Sequence, residues 1–175
     1  MSSTTTIHTF AKVYGWFSSV SSLVQSPLLL LVRLYWGWQF METGWGKLHN
    51  LAHVTQFFSS LGIPAPGPTA WFVSCIECLG GVLLILGLGS RLTGLVLAGD
   101  MIVAYLAADR EALTSVISNP GKFYGADPYT FLCASVLILI FGPGWFALDT
   151  WIARRHSSQA AQQEQPLPRV HTDAA

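Results

Sequence analysis

Four long apolar segments, separated by polar stretches, make up most of the chain. They lie at about residues 27–46, 68–89, 92–108 and 128–149. Each is close to the ~20 residues that an α-helix needs to cross a ~30 Å hydrocarbon core. Because lipid offers no partner to backbone N–H and C=O groups, such segments must form helices. The pattern therefore predicts an all-α integral membrane protein built as a four-helix transmembrane bundle.

The segment before the first apolar run has a different pattern. Residues 1–9 are rich in Ser and Thr, and we expect them to be disordered. In residues 10–26, apolar side chains recur at helical spacing with polar residues between them, which is typical of an amphipathic helix in the membrane interface. A signal peptide is the alternative, but this segment lacks a continuous apolar core. Residues 1–26 are therefore predicted to form an N-terminal tail and an interfacial amphipathic helix.

The remaining polar stretches predict connections and a tail. Residues 47–67 are expected to form a loop with a short amphipathic turn, and a tight turn at Gly89–Arg91 joins the second and third spans. Residues 109–127 form a polar loop. The stretch 151–175 is polar and of low complexity, so it is predicted to be disordered. The transmembrane domain is thus expected to occupy residues 27–150.

Composition agrees with a membrane protein and limits the partners. The chain is 51% hydrophobic and only 10% charged, whereas soluble domains carry about 25% charged residues. The net charge is zero, which gives no indication of a nucleic-acid partner. Basic residues flanking the spans slightly favour a topology with both termini in the cytoplasm. No Cys/His spacing fits a zinc site, so no metal is expected.

Four ionisable residues fall inside the predicted spans: Arg33, Glu42, Glu77 and Asp100. Such residues are costly in lipid and usually face the bundle interior or a water-filled cavity. Glu77 and Asp100 lie near the middle of their spans, whereas Glu42 lies near an interface and about half a turn away from Arg33. We therefore predict that Arg33 pairs with Glu77 or Asp100, leaving one acid protonated as a candidate proton relay. A structural ion pair that fixes helix register is the alternative.

Cys75 and Cys78 have the spacing of a thiol redox motif. They lie several residues inside a span, however, where no free helix N-terminus lowers the pKa of a thiol. Ser74, Cys78 and Gly81 form a stripe of small residues, which lets helices approach closely in lipid. We therefore interpret the cysteines as packing residues. Small residues also predict close packing of the second span on the third: Gly80, Gly81, Gly94 and Ala98.

Aromatic side chains cluster at one end of the first span and at the start of the second. They are Tyr35, Trp36, Trp38, Trp45 and Trp71. Most fit an interfacial aromatic belt. A flat pocket for a quinone ring is the alternative for one or two of them.

Three short motifs follow one another in a fixed order along the spans. The first span carries Arg33-x3-Gly37-x2-Phe40-x3-Gly44-x2-Lys47-Leu48, the second carries Glu77-x2-Gly80-Gly81 followed by Leu86-Gly87 and Arg91, and the fourth ends in Gly142-x-Gly144 with Asp149 beyond it. In these motifs the chain resembles the DoxX family of small bacterial and archaeal membrane proteins. The resemblance covers residues 27–150.

The resemblance implies a multi-pass protein of a bacterial or archaeal cell membrane. DoxX members are similar to the DoxD-type subunit of thiosulfate:quinone oxidoreductase and to quinol oxidase subunits. Other members are linked to oxidative-stress complexes with superoxide dismutase and a sulfurtransferase. Carried over, the resemblance makes Arg33, Lys47 and Glu77 the positions to test.

We therefore expect a subunit of a quinone-linked oxidoreductase or of an oxidative- or sulfur-stress redox complex. Glu77 and Asp100 would relay protons, Arg33 and Lys47 would bind or pair charge, and the cofactor would be a quinone or quinol. The expected partners are the lipid bilayer, other membrane or soluble oxidoreductase subunits, or further copies of the chain. The alternatives are a non-catalytic scaffold that anchors a soluble oxidoreductase and a conductor of protons or small solutes.

Overall fold

The computed structural model describes residues 3–151 and Arg155, and every regular element within them is a helix. The helices are α1 (Ser3–His49), α2 (Leu51–Ser60), α3 (Pro66–Leu86), α4 (Ser90–Ala107), α5 (Arg110–Thr114), α6 (Pro120–Tyr124) and α7 (Pro128–Phe141). Among these described helices, α3 and α4 are long and apolar enough to cross a membrane. The prediction of an all-α protein is confirmed, and the structure supports two of the four predicted spans by length and composition.

The first helix departs from its predicted boundaries. The sequence predicted disorder over residues 1–9, an amphipathic helix to residue 26 and a new span from Pro27. Instead, α1 is continuous from Ser3 to His49 and contains Pro27 in its interior. A proline removes one intrahelical N–H donor but does not forbid helix on both of its sides. Residues 152–154 and 156–175, most of the predicted tail, lie outside the described residues, so disorder there stays a prediction.

Glycines in the left-handed region set the ends of the later helices. Gly87, with φ 70°, ends α3, and its N–H donates to the carbonyl of Leu83 at 2.8 Å. Gly89, with φ 54°, precedes α4, so the connection is a tight turn close to the predicted one. Gly142, with φ 78°, ends α7 after 14 residues. That helix is about 21 Å long at ~1.5 Å per residue, and it ends at Gly142, where glycine tolerates a positive φ that other residues rarely adopt.

Helix α1 packs along α3, and α4 packs along α7. Glycines make the α1–α3 contact close. A Cβ atom at Gly44 would lie 2.3 Å from the backbone nitrogen of Cys78, and one at Gly81 would lie 2.4 Å from that of Met41. Real Cβ atoms do not approach this closely, so only glycine fits either position. The predicted small-residue stripe is confirmed, and Cys78 belongs to this helix contact.

The predicted glycine contact between the second and third spans is only partly right. A Cβ atom at Gly80 would meet Leu97 of α4 at 2.9 Å, as expected. Gly81, however, faces α1, and a Cβ atom at Gly94 would lie 2.9 Å from the carbonyl oxygen of Ser135 in α7. The sequence shows which positions are small, but the partner helix depends on how the helices are arranged. The apolar core where they meet contains Phe40, Leu84, Leu97, Met101 and Ile138.

Candidate functional site

Two cationic side chains lie on the face of α1 that packs against α3. Arg33 and Lys47 are about 21 Å apart along the helix at ~1.5 Å per residue, with Phe40 of the buried core between them. Each cation lies in a separate polar site. The two sites differ in how completely their charged groups are paired, and this difference identifies the candidate functional site.

The guanidinium of Arg33 is bound by backbone carbonyl groups. Nε donates to the oxygen of Leu84 at 2.9 Å, Nη1 to that of Pro143 at 2.5 Å and Nη2 to that of Ile85 at 3.3 Å. Arg33 is only 1% exposed. Carbonyl groups at a helix C-terminus carry partial negative charge that stabilises a cation. The prediction that Arg33 pairs with Glu77 or Asp100 was therefore wrong, because its side chain lies at the C-terminal end of α3.

Gly87 and Asp149 complete the Arg33 site. A Cβ atom at Gly87 would lie 2.3 Å from Nη2 of Arg33, so the guanidinium lies directly against the glycine backbone. The carboxylate of Asp149 accepts hydrogen bonds from the N–H groups of Gly89 at 2.8 Å and Ser90 at 2.9 Å. It thereby satisfies backbone donors at the start of α4. The nitrogens of Arg33 and both oxygens of Asp149 are engaged, which is the arrangement of a structural site.

Lys47 lies in the second site and pairs with Glu77. Its Nζ donates to Oε1 of Glu77 at 2.5 Å. The lysine is 35% exposed, whereas the glutamate is 3% exposed. The structure therefore brings together two of the residues that the sequence selected. The spacing along α1 placed both cations on one face, but only the alignment of α1 on α3 decides which cation reaches Glu77.

The second site is incompletely paired. Oε2 of Glu77 and Oδ2 of Asp100 are buried and have no hydrogen-bond partner among the described residues. An unsatisfied buried acceptor costs about 1–3 kcal/mol, and more when it is charged. Glu77, Asp100 and Lys47 come from three different helices and interact electrostatically. The structure thus gathers the two predicted acids at one place, together with Lys47 instead of Arg33.

A cavity of about 580 Å³ lies beside these acids. Its walls come mainly from α2, α3 and α4, and most of its lining is apolar. Helix α2 contributes three apolar side chains, Val54, Phe57 and Phe58, and Leu61 follows at its C-terminus. These apolar residues follow Lys47 at helical spacing, which was the sequence signal for this side of the cavity. From that spacing we predicted only an amphipathic turn within a loop, whereas the structure has the helix α2. The polar lining residues are Lys47, His53, Thr69, Glu77 and Asp100.

The Lys47–Glu77 pair also borders a second, smaller cavity of about 250 Å³. This cavity shares Lys47, Glu77 and Ala104 with the larger one. Its other walls come from α1, from α4 and from the beginning of α7. The additional lining residues are Phe40, Thr43, Met101, Asp127, Pro128 and Phe131. Glu77 therefore stands between two cavities with different surroundings.

Other candidate residues lie outside both cavities. Cys75 and Cys78 line neither of them. Glu42 is exposed on α1, which agrees with its predicted separation from the charged face. The tryptophans line neither cavity, and Trp38 and Trp71 are exposed, so the aromatic belt stays a prediction. The aromatic side chains that do line the cavities are phenylalanines, which the sequence did not single out.

Comparison with known proteins gives one family and three relatives. The profile of a family described as DoxX matches residues 28–110. "Putative oxidoreductase CatD" of Bacillus subtilis is 29% identical over 123 residues, covering 70% of this chain and 85% of that protein. "Uncharacterized membrane protein Rv3486" of Mycobacterium tuberculosis is 26% identical, covering 78% and 88%. "Inner membrane protein YqjF" of Escherichia coli is 25% identical, covering 73% and 93%. No solved structure matches the chain.

Proposed function

We propose, from the premise that this chain belongs to the DoxX family of membrane proteins, that it is the membrane subunit of a quinone-linked oxidoreductase. The cavity beside Glu77 and Asp100 would hold the quinone ring. One observation carries the proposal: two acids, each with a buried oxygen that has no partner among the described residues, line an apolar cavity large enough for a substituted ring. Ligand sites typically combine an apolar lining with a few convergent polar groups in this way. The name of the relative CatD, which calls that protein an oxidoreductase, points in the same direction.

A bound quinone would accept two electrons from a partner oxidoreductase subunit and two protons, and oxidation of the quinol would reverse this exchange. The residues of this chain would hold and move the protons. Lys47 occupies Oε1 of Glu77 and leaves Oε2 for proton exchange. Asp100 offers a second carboxyl group on the same cavity. A protonated carboxyl group donates one hydrogen bond and an ionised one only accepts, so the two acids can serve either redox state.

The topology proposed for this subunit has four membrane crossings, through α1, α3, α4 and α7, with both termini in the cytoplasm. Each of these helices exposes large apolar side chains, among them Leu34, Phe72, Leu95 and Ile140. Such exposure over a contiguous surface fits contact with lipid. The electron-transfer partner would then be a second membrane subunit or a soluble oxidoreductase that binds at the membrane surface.

The test is to purify the protein from native membranes, to extract and measure the quinone bound to it, and to identify the proteins that copurify with it. Glu77→Gln should reduce the quinone retained and abolish quinone-linked thiosulfate or sulfide oxidation. Glu42→Gln is the matched control, since it removes an exposed acid of α1 and should change neither. Because Glu77→Gln leaves Lys47 unpaired, a second variant, Val73→Phe, narrows the cavity without altering a charge. It should also lower quinone retention at normal protein abundance.

Two outcomes would contradict the proposal. If the native protein retains no quinone and its deletion leaves quinone-linked oxidation unchanged, the cavity has another purpose. If Glu77→Gln lowers the amount of protein without changing the activity per molecule, Glu77 is structural, as expected for a scaffold that anchors a soluble oxidoreductase.

A further inference from the structure

The smaller cavity beside Glu77 shares three lining residues with the proposed ligand cavity but is not assigned to the ligand. Its volume of about 250 Å³ gives room for about eight water molecules at ~30 Å³ each. A ring bound in the larger cavity would displace water there. Glu77 is shared by both cavities, so the smaller one offers a separate approach to the same carboxyl group.

Polar groups line this smaller cavity from an exposed acid to a buried one. Asp127 is exposed at the beginning of α7, and its side chain makes no cap hydrogen bond to the helix. Thr43 contributes a hydroxyl group, which donates to the carbonyl of Gln39 at 2.9 Å. Glu77 is 3% exposed, and its Oε2 has no partner among the described residues. A buried carboxyl group that must exchange protons needs such a connection to water.

We infer that the smaller cavity is the proton route of the protein, through which Glu77 exchanges protons with the aqueous phase, and that Asp127 collects and releases protons at its mouth. This inference rests on the proposed function only in assigning the larger cavity to the ligand. The transferred species is a proton that moves along water between two carboxyl groups, so no electron moves with it. Asp127 lies outside the residues matched to the family, 28–110, and its role follows from its place on the cavity.

The charged groups on the helices around Glu77 decide which residue can exchange protons with it through the smaller cavity. Lys47 on α1 holds Oε1, which leaves Oε2 as the oxygen that carries the proton. Asp100 on α4 and His53 on α2 line the larger cavity but not the smaller one. Asp127 at the start of α7 is therefore the acid, besides Glu77, that lines the smaller cavity.

The experiment uses the full chain in liposomes and follows the carboxyl C=O band of Glu77 by infrared spectroscopy after a rapid change of pH. The band is assigned by its loss in Glu77→Gln. Asp127→Asn should slow protonation of Glu77 by roughly tenfold. A group that transfers a proton directly to a reacting molecule contributes about 100-fold or more to the rate, and Asp127 acts only through water, so we expect a smaller factor. Asparagine is as acceptable as aspartate before a helix, so the variant should fold.

Asp109→Asn is the matched control. Asp109 precedes α5, also makes no side-chain cap bond and lines neither cavity of Glu77. It should leave the rate unchanged. Thr43→Val keeps the size of the side chain but removes the hydroxyl group, so it should slow protonation in the same direction by a smaller factor.

Unchanged rates in both Asp127→Asn and Thr43→Val would overturn the proton route, and so would a Glu77 band that does not respond to pH. Quinone retention separates this result from a failure of the proposed function. If quinone is retained but the rates are unchanged, only the proton route is wrong. If no quinone is found and Asp127→Asn still slows protonation, only the assignment of the larger cavity is wrong.

Discussion

Arg33 and Lys47 lie on one face of the same helix, yet their surroundings are opposite in kind. Each nitrogen of the Arg33 guanidinium donates to a carbonyl oxygen, and the glycine beside it leaves no free space. Lys47 has one carboxylate partner, and one oxygen of that carboxylate, between the two cavities, has no hydrogen-bond partner within the described part of the chain. Buried polar groups in folded proteins are normally paired, so an exception requires an explanation.

The comparison divides the family-like motifs into two groups. Arg33, Gly87 and Asp149 meet at the site whose charged groups are all hydrogen-bonded, where they join α1, the α3–α4 turn and the segment after α7. Lys47 and Glu77 meet at the incompletely paired site. We therefore expect variants of the first group to act on stability and variants of the second group to act on ligand or proton exchange.

Arg33→Met should have the largest effect on stability. It removes the side-chain donors for the carbonyls of Leu84, Ile85 and Pro143, although the carbonyl of Leu84 keeps the N–H of Gly87. Each buried acceptor left unsatisfied costs about 1–3 kcal/mol. Thermal unfolding in detergent should show a marked fall in the melting temperature. Arg33→Lys should restore only part of it, because an ammonium group is a compact point charge without the planar fork of a guanidinium. Unchanged melting would show that the carbonyl contacts are not structural.

Gly44→Ala should have the next largest effect, because it changes the alignment on which the whole comparison depends. The added Cβ atom would lie 2.3 Å from the backbone of Cys78, so α1 must move away from α3. Overpacking of this kind costs about 1–3 kcal/mol. Gly46→Ala is the control, since no atom of the described residues lies within 4 Å of its Cβ position. That variant should be neutral or more stable, because alanine favours a helix by about 1 kcal/mol over glycine. Equal melting temperatures would contradict the close contact.

Lys47→Met should have a smaller effect on stability than either of these changes, although it also removes a cation from the interior. Lys47 is partly exposed, and a carboxyl group left without its cation can take up a proton instead of remaining charged. We expect a loss of about 1 kcal/mol, the scale of a single hydrogen bond. Quinone retention should fall much further than stability does. A loss of stability as large as that in Arg33→Met would remove the distinction between the two sites.

The sequence predicted the helical class and most members of both sites, but not their pairing. The acids at 77 and 100 and the basic residues at 33 and 47 are recognisable because charge is rare in apolar segments. Which cation reaches Glu77 depends on the longitudinal alignment of α1 on α3. That alignment follows from the close contacts at Gly44 and Gly81. Each contact involves both α1 and α3, so the sequence of one helix alone does not reveal it. Asp127 was missed because an exposed loop acid carries no signal until the cavity behind it is known.

The smallest effect on stability is expected at the ion pair between Lys122 and Glu111. This pair contains the same chemical groups as Lys47 and Glu77, but both of its side chains are exposed. The hydrogen bond from Lys122 lowers the pKa of Glu111 below its ordinary value of 4.5. A lowered folded-state pKa contributes stability that is present above the unfolded pKa and lost as pH falls through the folded pKa. Because solvent screens exposed pairs, Lys122→Gln should leave the melting temperature at pH 7 unchanged. An NMR titration should nevertheless show the pKa of Glu111 rising toward 4.5 in that variant. A clear loss of stability at pH 7 would show that burial is not what separates the two lysine–glutamate pairs.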